Sequence, residues 1–273
     1  MSVLHSYAVR CAAPLISLIA AVFLHTSAQA AITAVNEGSF GGSAPGDTVT
    51  QSITVGASAD MLVVMTASEL GGLSGDAMTV TYGGVEMNLA TGNTDLTQSA
   101  IWYLDLSTAG ISGTDVVVDV TDYGTRNGFA AGWVTLNGNL LAGESIALHS
   151  TAFRQEGSPV LDNTVSLTTT VETFNVVNFN GNGGTQINVV SPDPNVIYED
   201  GTIGSARSAA AYEVGVAAGT SVYEYFINNP DNNGNANANY RRIDAAAFTV
   251  IPEPSSIALV GLSGLLLMRR RRG

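Results

Sequence analysis

The body of the chain is a succession of short β-type segments, and this pattern constrains the fold more than any other feature. Residues 48–55 read TVTQSITV, residues 61–66 form an apolar run, and Gly83-Gly84 separates two further segments as a hairpin turn would. No stretch between residues 31 and 251 sustains the 3.6-residue period of a capped helix. The remaining predicted strands are 78–82, 85–89, 100–106, 115–121, 129–136, 145–153, 164–170, 174–179, 186–190, 208–214, 221–227 and 243–251.

Many short strands at near-regular spacing predict an all-β fold, an antiparallel β-sandwich of the jelly-roll or immunoglobulin-like kind. We expect two packed sheets, each burying one face. Turn dipeptides at Asn137-Gly138, Asn180-Gly181 and Asp200-Gly201 separate strands in this interpretation. Large aromatic residues dominate the cores of such folds, and those expected in the core are Trp102, Trp133, Phe153, Phe174 and Phe179.

The N-terminus has the organisation of a secretory signal peptide. Arg10 supplies the positive charge, residues 12–24 form an apolar run broken by Pro14 and Ser17, and Ala28-Gln29-Ala30 is a small-x-small cleavage site. We therefore expect residues 1–30 to be removed between Ala30 and Ala31. The alternative, an uncleaved membrane anchor, would need a longer apolar run.

The C-terminus has three parts in a fixed order: Pro252-Glu253-Pro254, an uncharged apolar stretch over 255–268, and the basic tail Arg269, Arg270, Arg271 and Arg272. As a helix, the apolar stretch would be about 21 Å long, which is short for a bilayer core of about 30 Å. The arginines would stay cytoplasmic by the positive-inside rule, with the body of the chain outside. The prolines disfavour helix and hold the strip before the membrane extended.

This three-part C-terminus closely resembles the PEP-CTERM family of sorting signals. The resemblance rests on Ile251 to Ser256, the apolar run from Gly261 to Met268, and the four terminal arginines. It implies recognition by an exosortase, a membrane-embedded cysteine transpeptidase-like enzyme, in a Gram-negative bacterium that makes exopolysaccharide. The alternative is a generic membrane anchor in which Pro-Glu-Pro occurs by chance. We expect three regions: a signal peptide (1–30), an extracellular β-sandwich domain (31–250) and a sorting signal (251–273) with a short transmembrane helix.

Residues 60–137 also resemble a β-sandwich module found in many exported bacterial proteins. The features are, in order, MLVVMTASE, TVTYGGVEMNLA, IWYLDL, DVVVDVTD and AAGWVTLNGN. The resemblance covers under a third of the chain and includes no catalytic motif. It supports the fold and implies no reaction.

The charge of the body excludes some partners. Residues 31–251 hold 22 acidic residues, five arginines and no lysine, a net charge of −17. Such a body is repelled by nucleic acid and by anionic lipid headgroups, so no nucleic-acid partner is expected. The one cysteine, Cys11, lies in the leader. The mature chain therefore has no disulfide and no cysteine metal site.

No catalytic constellation stands out in the mature chain. Its single histidine, His149, has no recognisable nucleophile or acid partner in the sequence. A glycosidase would need two carboxylates, and the closest acidic pairs, Asp119 with Asp122 and Glu199 with Asp200, flank predicted turns, where acids commonly cap and solvate the chain. We expect the protein not to be an enzyme and to need no cofactor.

A calcium loop is weakly suggested by oxygen-bearing side chains at alternate positions, namely Asp231, Asn233 and Asn235. The sixth position is Ala236 instead of glycine, and the twelfth is Arg242 instead of a bidentate glutamate. A flexible Asn-rich loop is the competing interpretation.

Three hypotheses for function remain open from the sequence. The first is a non-catalytic surface or extracellular-matrix protein that an exosortase sorts, held transiently in the inner membrane and then displayed on the cell surface or among extracellular polysaccharide. The second is a carbohydrate-binding module, whose mark would be an exposed aromatic row such as Tyr212, Tyr223 and Tyr225. The third is a secreted hydrolase of unrecognised type.

Overall fold

A computed structural model describes residues 31–42, 48–70, 78–92, 99–108, 110–119, 126–157, 164–182, 186–191, 195–203, 206–228 and 240–252. These residues contain no helix, and every strand pairing among them is antiparallel. The all-β prediction is therefore confirmed. The strands are β1 (Thr33–Gly42), β2 (Thr48–Ser52), β3 (Met61–Leu70), β4 (Thr79–Tyr82), β5 (Val85–Glu86), β6 (Asn88–Gly92), β7 (Ser99–Asp105), β8 (Asp115–Asp119), β9 (Arg126–Asn137), β10 (Glu144–Gly157), β11 (Thr164–Thr169), β12 (Thr173–Asn182), β13 (Gln186–Ser191), β14 (Asn195–Ile203), β15 (Ala206–Val216), β16 (Gly219–Asn228) and β17 (Tyr240–Pro252).

The strands form four sheets, which we number by layer. Sheet I has the order β2-β8-β4-β5, sheet II β1-β9-β3-β7-β6, sheet III β10-β17-β12-β15-β14 and sheet IV β11-β16-β13. One hydrophobic core joins sheet I to sheet II, a second joins sheet II to sheet III, and a third joins sheet III to sheet IV. The layers therefore stack in the order I, II, III, IV, and the two central sheets bury both faces.

The expectation of two sheets, each burying one face, was therefore wrong: the described residues form four sheets. Two-sided burial explains why β3 carries a continuous apolar run instead of alternating residues. Residues 61–65 of β3 alternate between the first and second cores, and all are at most 1% exposed. A strand that packs on both faces has no solvent side on which polar residues would alternate.

The second half of the chain repeats the topology of the first. Strand β1 corresponds to β10, β3 to β12, β7 to β15 and β9 to β17, since sheets II and III have the same strand order under this correspondence. Contacts between the two sheets are reciprocal as well. Strands β1 and β9 pack on β14 as β10 and β17 pack on β6, and β3 packs on β12. This reciprocity is the property of a two-fold interface, with its pseudo-axis between β3 and β12.

Each half is a sandwich of the jelly-roll kind. Its first strand lies beside its last, as β1 lies beside β9 and β10 beside β17. In an immunoglobulin sandwich the first strand is instead grouped with the second, fifth and fourth. The jelly-roll alternative therefore describes the topology, and it occurs twice.

Two strands were missed, and another was predicted as one segment where the structure has two. Strands β1 and β14 have no counterpart among the predicted segments, and residues 85–89 divide into β5 and β6 around Met87. Both missed strands are sheet edges with irregular register, at 34–37 in β1 and at 196–201 in β14. A bulge shifts the following side chains to the opposite face of the strand. The alternation of apolar and polar residues that predicts a strand is therefore interrupted within β1 and β14.

Two of the predicted turn dipeptides lie inside strands. Asn180-Gly181 belongs to β12 and Asp200-Gly201 to β14, whereas Asn137 does end β9. Asn180 is 1% exposed, and its Nδ2 donates to the carbonyl oxygen of Ser68 at 2.9 Å. Its side chain connects sheet III to sheet II instead of stabilising a turn.

Four of the five aromatic residues predicted to lie in the core do so. Trp102, Trp133, Phe174 and Phe179 are at most 9% exposed, but Phe153 is 63% exposed. Phe153 lies on β10, the edge strand of sheet III, directly opposite Asp244 of β17. The guanidinium carbon of Arg242 lies 4.7 Å from the centroid of its ring. The ring therefore partly covers a buried charge instead of filling the core.

That charge belongs to an ion pair between sheets II and III. Arg242, 5% exposed, donates from Nη2 to Oδ1 of Asp244 at 2.8 Å and from Nε to Oδ2 at 2.9 Å, and Asp244 is completely buried. Thr91 of β6 donates to Oδ1 of Asp244 at 3.0 Å. Burial raises the pKa of Asp244, and its hydrogen bonds and the charge of Arg242 offset part of that rise.

Candidate processing site at the end of the last strand

The last described residues belong to β17, an interior strand of sheet III. Strand β17 has β10 on one side and β12 on the other, and its last residues pair with β10 alone, Val250 with Ile146, Ile251 with Ser145 and Pro252 with Glu144. Val250 is 6% exposed and belongs to the second core. The Pro-Glu-Pro strip therefore begins at a residue that is still paired in a core strand.

Most of the residues predicted for sorting and export lie outside the described part of the chain. These are Ala30, Glu253, Pro254 and Arg269 to Arg272, with the leader residues Arg10 and Cys11. Of the predicted site residues, Ala31 and Pro252 are described, Ala31 as exposed and Pro252 as the end of β17. Within the described ranges, no helix is long and apolar enough to cross a bilayer.

An acidic cavity lies beside the point where β17 ends. It has a volume of about 220 Å³ and is lined by Asp60, Asp105 and Glu144, among other residues. Glu144 is the register partner of Pro252. The cavity joins the two halves of the molecule, because Asp60 precedes β3, Asp105 ends β7 and Glu144 begins β10.

Each of these three carboxylates accepts a hydrogen bond from a loop backbone. Gly138 N donates to Oδ2 of Asp60 at 2.8 Å, and Ser107 N donates to Oδ1 of Asp105 at 2.8 Å. Leu141 N donates to Oε2 of Glu144 at 2.9 Å. Each side chain thus fixes a loop and still has a second oxygen with capacity for a donor. Sequence reasoning did not find this group, because the pairing of β3 with β7 brings Asp60 beside Asp105 and the packing of the two halves adds Glu144.

The arginines of the body lie toward one of its two ends. We call the end where β17 finishes the Pro252 pole; it also holds the Gly83-Gly84 turn and the loops before β3, β8 and β10. All five arginines of the body lie on strand segments toward the opposite end: Arg126 at the start of β9, Arg154 near the end of β10, Arg207 at the start of β15, and Arg241 and Arg242 at the start of β17. Since the body has no lysine, the Pro252 pole carries carboxylates and no permanent cation.

The predicted calcium ligands Asp231, Asn233 and Asn235 lie outside the described residues. Among the residues that are described, no group of three His, Cys, Asp or Glu side chains is arranged to hold a metal. Of the acidic pairs considered from the sequence, the side chains of Asp122 and Asp200 are also outside the description.

His149 lies on β10 and bonds to a loop. Its Nε2 accepts from the backbone nitrogen of Thr170 at 3.2 Å, and the hydroxyl of Thr170 lies 3.3 Å from the same atom. This arrangement ties β10 to the connection between β11 and β12. Within the described part of the chain, no carboxylate or serine hydroxyl bonds to the ring, as catalysis by a triad would need.

The three tyrosines considered as an exposed platform are buried. Tyr223 and Tyr225 are each 1% exposed and Tyr212 is 8% exposed. Tyr225 stacks on Phe179 at 4.7 Å and Tyr212 on Phe174 at 5.1 Å, measured between ring centroids. Burial raises the pKa of all three phenols. Alternate residues of a strand face the core as readily as the solvent, and the sequence does not say which face is which.

Comparison with known proteins identifies the C-terminal segment. Residues 250–272 match the PEP-CTERM protein-sorting motif, so the chain carries this motif and is an exported protein that an exosortase sorts. The match begins at Val250, inside β17. No curated protein matches the chain by sequence.

Solved structures resemble the chain only remotely. The major capsid protein P2 of bacteriophage PM2 is 6% identical, with 82% of this chain and 98% of that chain covered and a TM-score of 0.23. The PBSX exported protein XepA is 9% identical, with 80% and 86% covered and a TM-score of 0.24. The α-L-rhamnosidase of Dictyoglumus thermophilum is 12% identical, with 84% and 36% covered and a TM-score of 0.20. At these scores none of them carries an argument about this protein.

Proposed function

We propose that this protein is a non-catalytic component of the cell surface or extracellular polysaccharide matrix of a Gram-negative bacterium. In this proposal it is released from transient inner-membrane attachment when an exosortase processes it near Pro252-Glu253-Pro254. The observation that carries the proposal is the sorting motif at 250–272, which starts in a strand that completes the folded body. The short apolar stretch within the motif, after Pro-Glu-Pro, is a poor permanent anchor and suits a temporary halt.

The described surface supports a non-catalytic role. Its cavity beside Pro252 is lined by carboxylates that each accept a hydrogen bond from a loop, and its one histidine bonds to a loop as well. A carbohydrate-binding role would have to depend on other aromatic side chains than the three tyrosines. Among those described, Phe153 is the aromatic with a largely exposed ring.

The full chain, expressed in a host that has the exosortase, tests the proposal. We expect the envelope-associated product to begin at Ala31 and to lack residues 257–273, as determined by N-terminal sequencing and mass spectrometry. Glu253→Ala should leave an unprocessed form in the inner membrane, because Glu253 is the one charged residue between Asp244 and Arg269. Recovery of the tail Arg269 to Arg272 on the displayed protein would refute the proposal.

A further inference from the structure

We propose that the processing enzyme contacts the folded Pro252 pole as well as the linear motif, so that the body is part of the substrate. The inference rests on the proposed sorting function and adds a surface to it. The occupant of that surface is the outward-facing part of the exosortase.

The strip of chain between the folded body and the membrane is short. Strand β17 is paired at Pro252, and after Ser255 and Ser256 the first apolar segment of the C-terminal stretch begins at Ile257. Residues 253–256 can span at most about 14 Å when fully extended, since each residue adds roughly 3.3–3.6 Å. One packed layer of protein is itself about 10 Å thick. An enzyme that holds this strip in a groove above the membrane has no room to avoid the pole.

The Pro252 pole is held close to the motif by β17 and cannot move away from it as a flexible end would. Val250 is buried in the core between sheets II and III, and Ile251 and Pro252 continue the pairing with β10. To lengthen the strip, the chain would have to detach these residues from Ile146, Ser145 and Glu144. Such a change would expose part of the second core.

The charge of the Pro252 pole favours a basic partner. The carboxylates of Asp60, Asp105 and Glu144 line the cavity at this pole, while all five arginines of the body lie toward the other end. A surface with carboxylates and no permanent cation complements arginine or lysine side chains of a partner. It is repelled by anionic lipid headgroups. We therefore assign the pole to a basic protein surface and not to the lipid.

The experiment compares processing rates of the full chain in cells that have the enzyme. One variant carries ten Gly and Ser residues between Thr249 and Val250, which moves the body away and leaves the matched motif over 250–272 intact. A second carries Asp60→Asn, Asp105→Asn and Glu144→Gln. Its matched control removes three negative charges at strand ends of the opposite pole through Glu69→Gln, Asp119→Asn and Glu156→Gln.

We expect the insertion and the Asp60, Asp105 and Glu144 variant each to slow processing by about threefold or more, the effect of losing a few exposed ion pairs. The matched control should be processed at the wild-type rate. If the insertion is processed as fast as wild type or faster, the enzyme reads the linear motif alone and the inference is wrong. If the Asp60, Asp105 and Glu144 variant is processed at the wild-type rate, or faster because less negative charge faces the anionic headgroups, the carboxylates do not contact a basic enzyme surface and the inference is also wrong.

Failure of the inference differs from failure of the proposed function. If the motif is not processed at all, wild type and Glu253→Ala give the same unprocessed product. If only the inference fails, wild type is processed, Glu253→Ala is not, and the body variants match wild type. Thermal unfolding of the purified variants shows whether a slower rate reflects loss of folding, because a misfolded variant would lose its cooperative transition.

Discussion

The side chain of Asn178 on β12 crosses from sheet III to sheet II and donates from Nδ2 to the carbonyl oxygen of Thr66 on β3 at 2.8 Å. These two strands correspond to each other in the two halves of the chain and lie at the pseudo-two-fold axis. The same nitrogen lies 3.0 Å from the hydroxyl of Ser99 and 3.2 Å from the carbonyl oxygen of Ala100. A completely buried amide thus fixes the register of one sandwich on the other.

Asn178→Ala should lower the free energy of unfolding by about 1–3 kcal/mol, because it removes a buried donor from polar groups that stay buried. Asn88→Ala, at an exposed position of β6, should change it by less than about 0.5 kcal/mol. Denaturant unfolding measures both. Equal effects of the two substitutions would show that the amide contributes nothing to the packing of the halves.

Arg242→Met should destabilise the protein by about 3–5 kcal/mol, since it leaves the carboxylate of Asp244 buried without its cation. The double variant Arg242→Met with Asp244→Leu should recover most of that loss, because no buried charge remains. The pair is measured by chemical unfolding of each variant. A double variant as unstable as the single one would contradict this account of the ion pair.

The stability of Arg242→Met should increase as the solution becomes more acidic. Burial raises the pKa of Asp244 in the folded protein, and loss of Arg242 removes a group that lowers it. A folded carboxyl with a raised pKa binds a proton more tightly than the unfolded one, so stability falls as pH rises from about 4 toward the folded pKa. Unfolding curves over this range test the sign, and a stability that rises with pH in this variant relative to wild type would refute it.

Alkaline solution should destabilise the protein through its buried phenols. Burial raises the pKa of Tyr198, Tyr212, Tyr223 and Tyr225 above the ordinary value of 10.0. Above that pH the unfolded chain releases protons that the folded chain retains, so the free energy of unfolding falls as pH rises. Ultraviolet titration should show these tyrosinates appearing together with unfolding. Ionisation of all eight tyrosines of residues 31–251 near pH 10 with the fold intact would contradict the burial.

Phe153→Ala should cost far less than Phe174→Ala. Phe153 is 63% exposed, and its main loss is the contact with Arg242, about 0.5–1 kcal/mol for an exposed cation–π contact. Phe174 is completely buried in the second core, where truncation costs about 3–5 kcal/mol. Thermal unfolding of the two variants gives the comparison. Similar losses would mean that the ring of Phe153 is buried in solution.

The Gly83-Gly84 turn offers a matched pair of substitutions. Both residues have positive φ, 52° and 81°, so alanine costs about 1–2 kcal/mol at either site. A methyl group at Gly83 would also meet the carbonyl oxygen of Gly113 and the side chain of Ile111 at 2.8 Å, whereas at Gly84 the nearest atom is 3.7 Å away. Gly83→Ala should therefore be the more destabilising in chemical unfolding, and the reverse order would contradict the turn geometry.

The sequence predicted this turn, the strand class and most central strands, because tight turns and apolar runs leave local signals. The sheet to which a strand belongs depends on residues far away in the sequence and leaves no local signal. Val177 and Asn178 are neighbours on one strand, yet Val177 packs in the third core and Asn178 bonds across the interface between sheets II and III. Nothing near them in the sequence shows that β12 has a sheet on each side.

The candidate site was predictable only in its linear part. Pro252, Glu253 and Pro254 form a motif by their order, and a reader of the sequence finds them without a structure. The carboxylates of Asp60, Asp105 and Glu144 are far apart in the chain. Pairing of β3 with β7 brings the two aspartates together, and packing of the halves adds Glu144 to their cavity. The duplicated topology was also invisible, since corresponding strands have little residue similarity, as MLVVMTASEL of β3 and TFNVVNFNGN of β12 show.

The position of β17 makes the order of synthesis matter. It is the last strand of the described residues, yet it lies between β10 and β12 in the interior of sheet III. A chain that crosses the membrane from its N-terminus can complete its first sandwich early, but the second lacks an interior strand until residue 252 has emerged. The motif follows within the next residues. Folding can therefore finish only at the moment when processing becomes possible. A molecule truncated before β17 would lack both a complete second sandwich and the sorting motif.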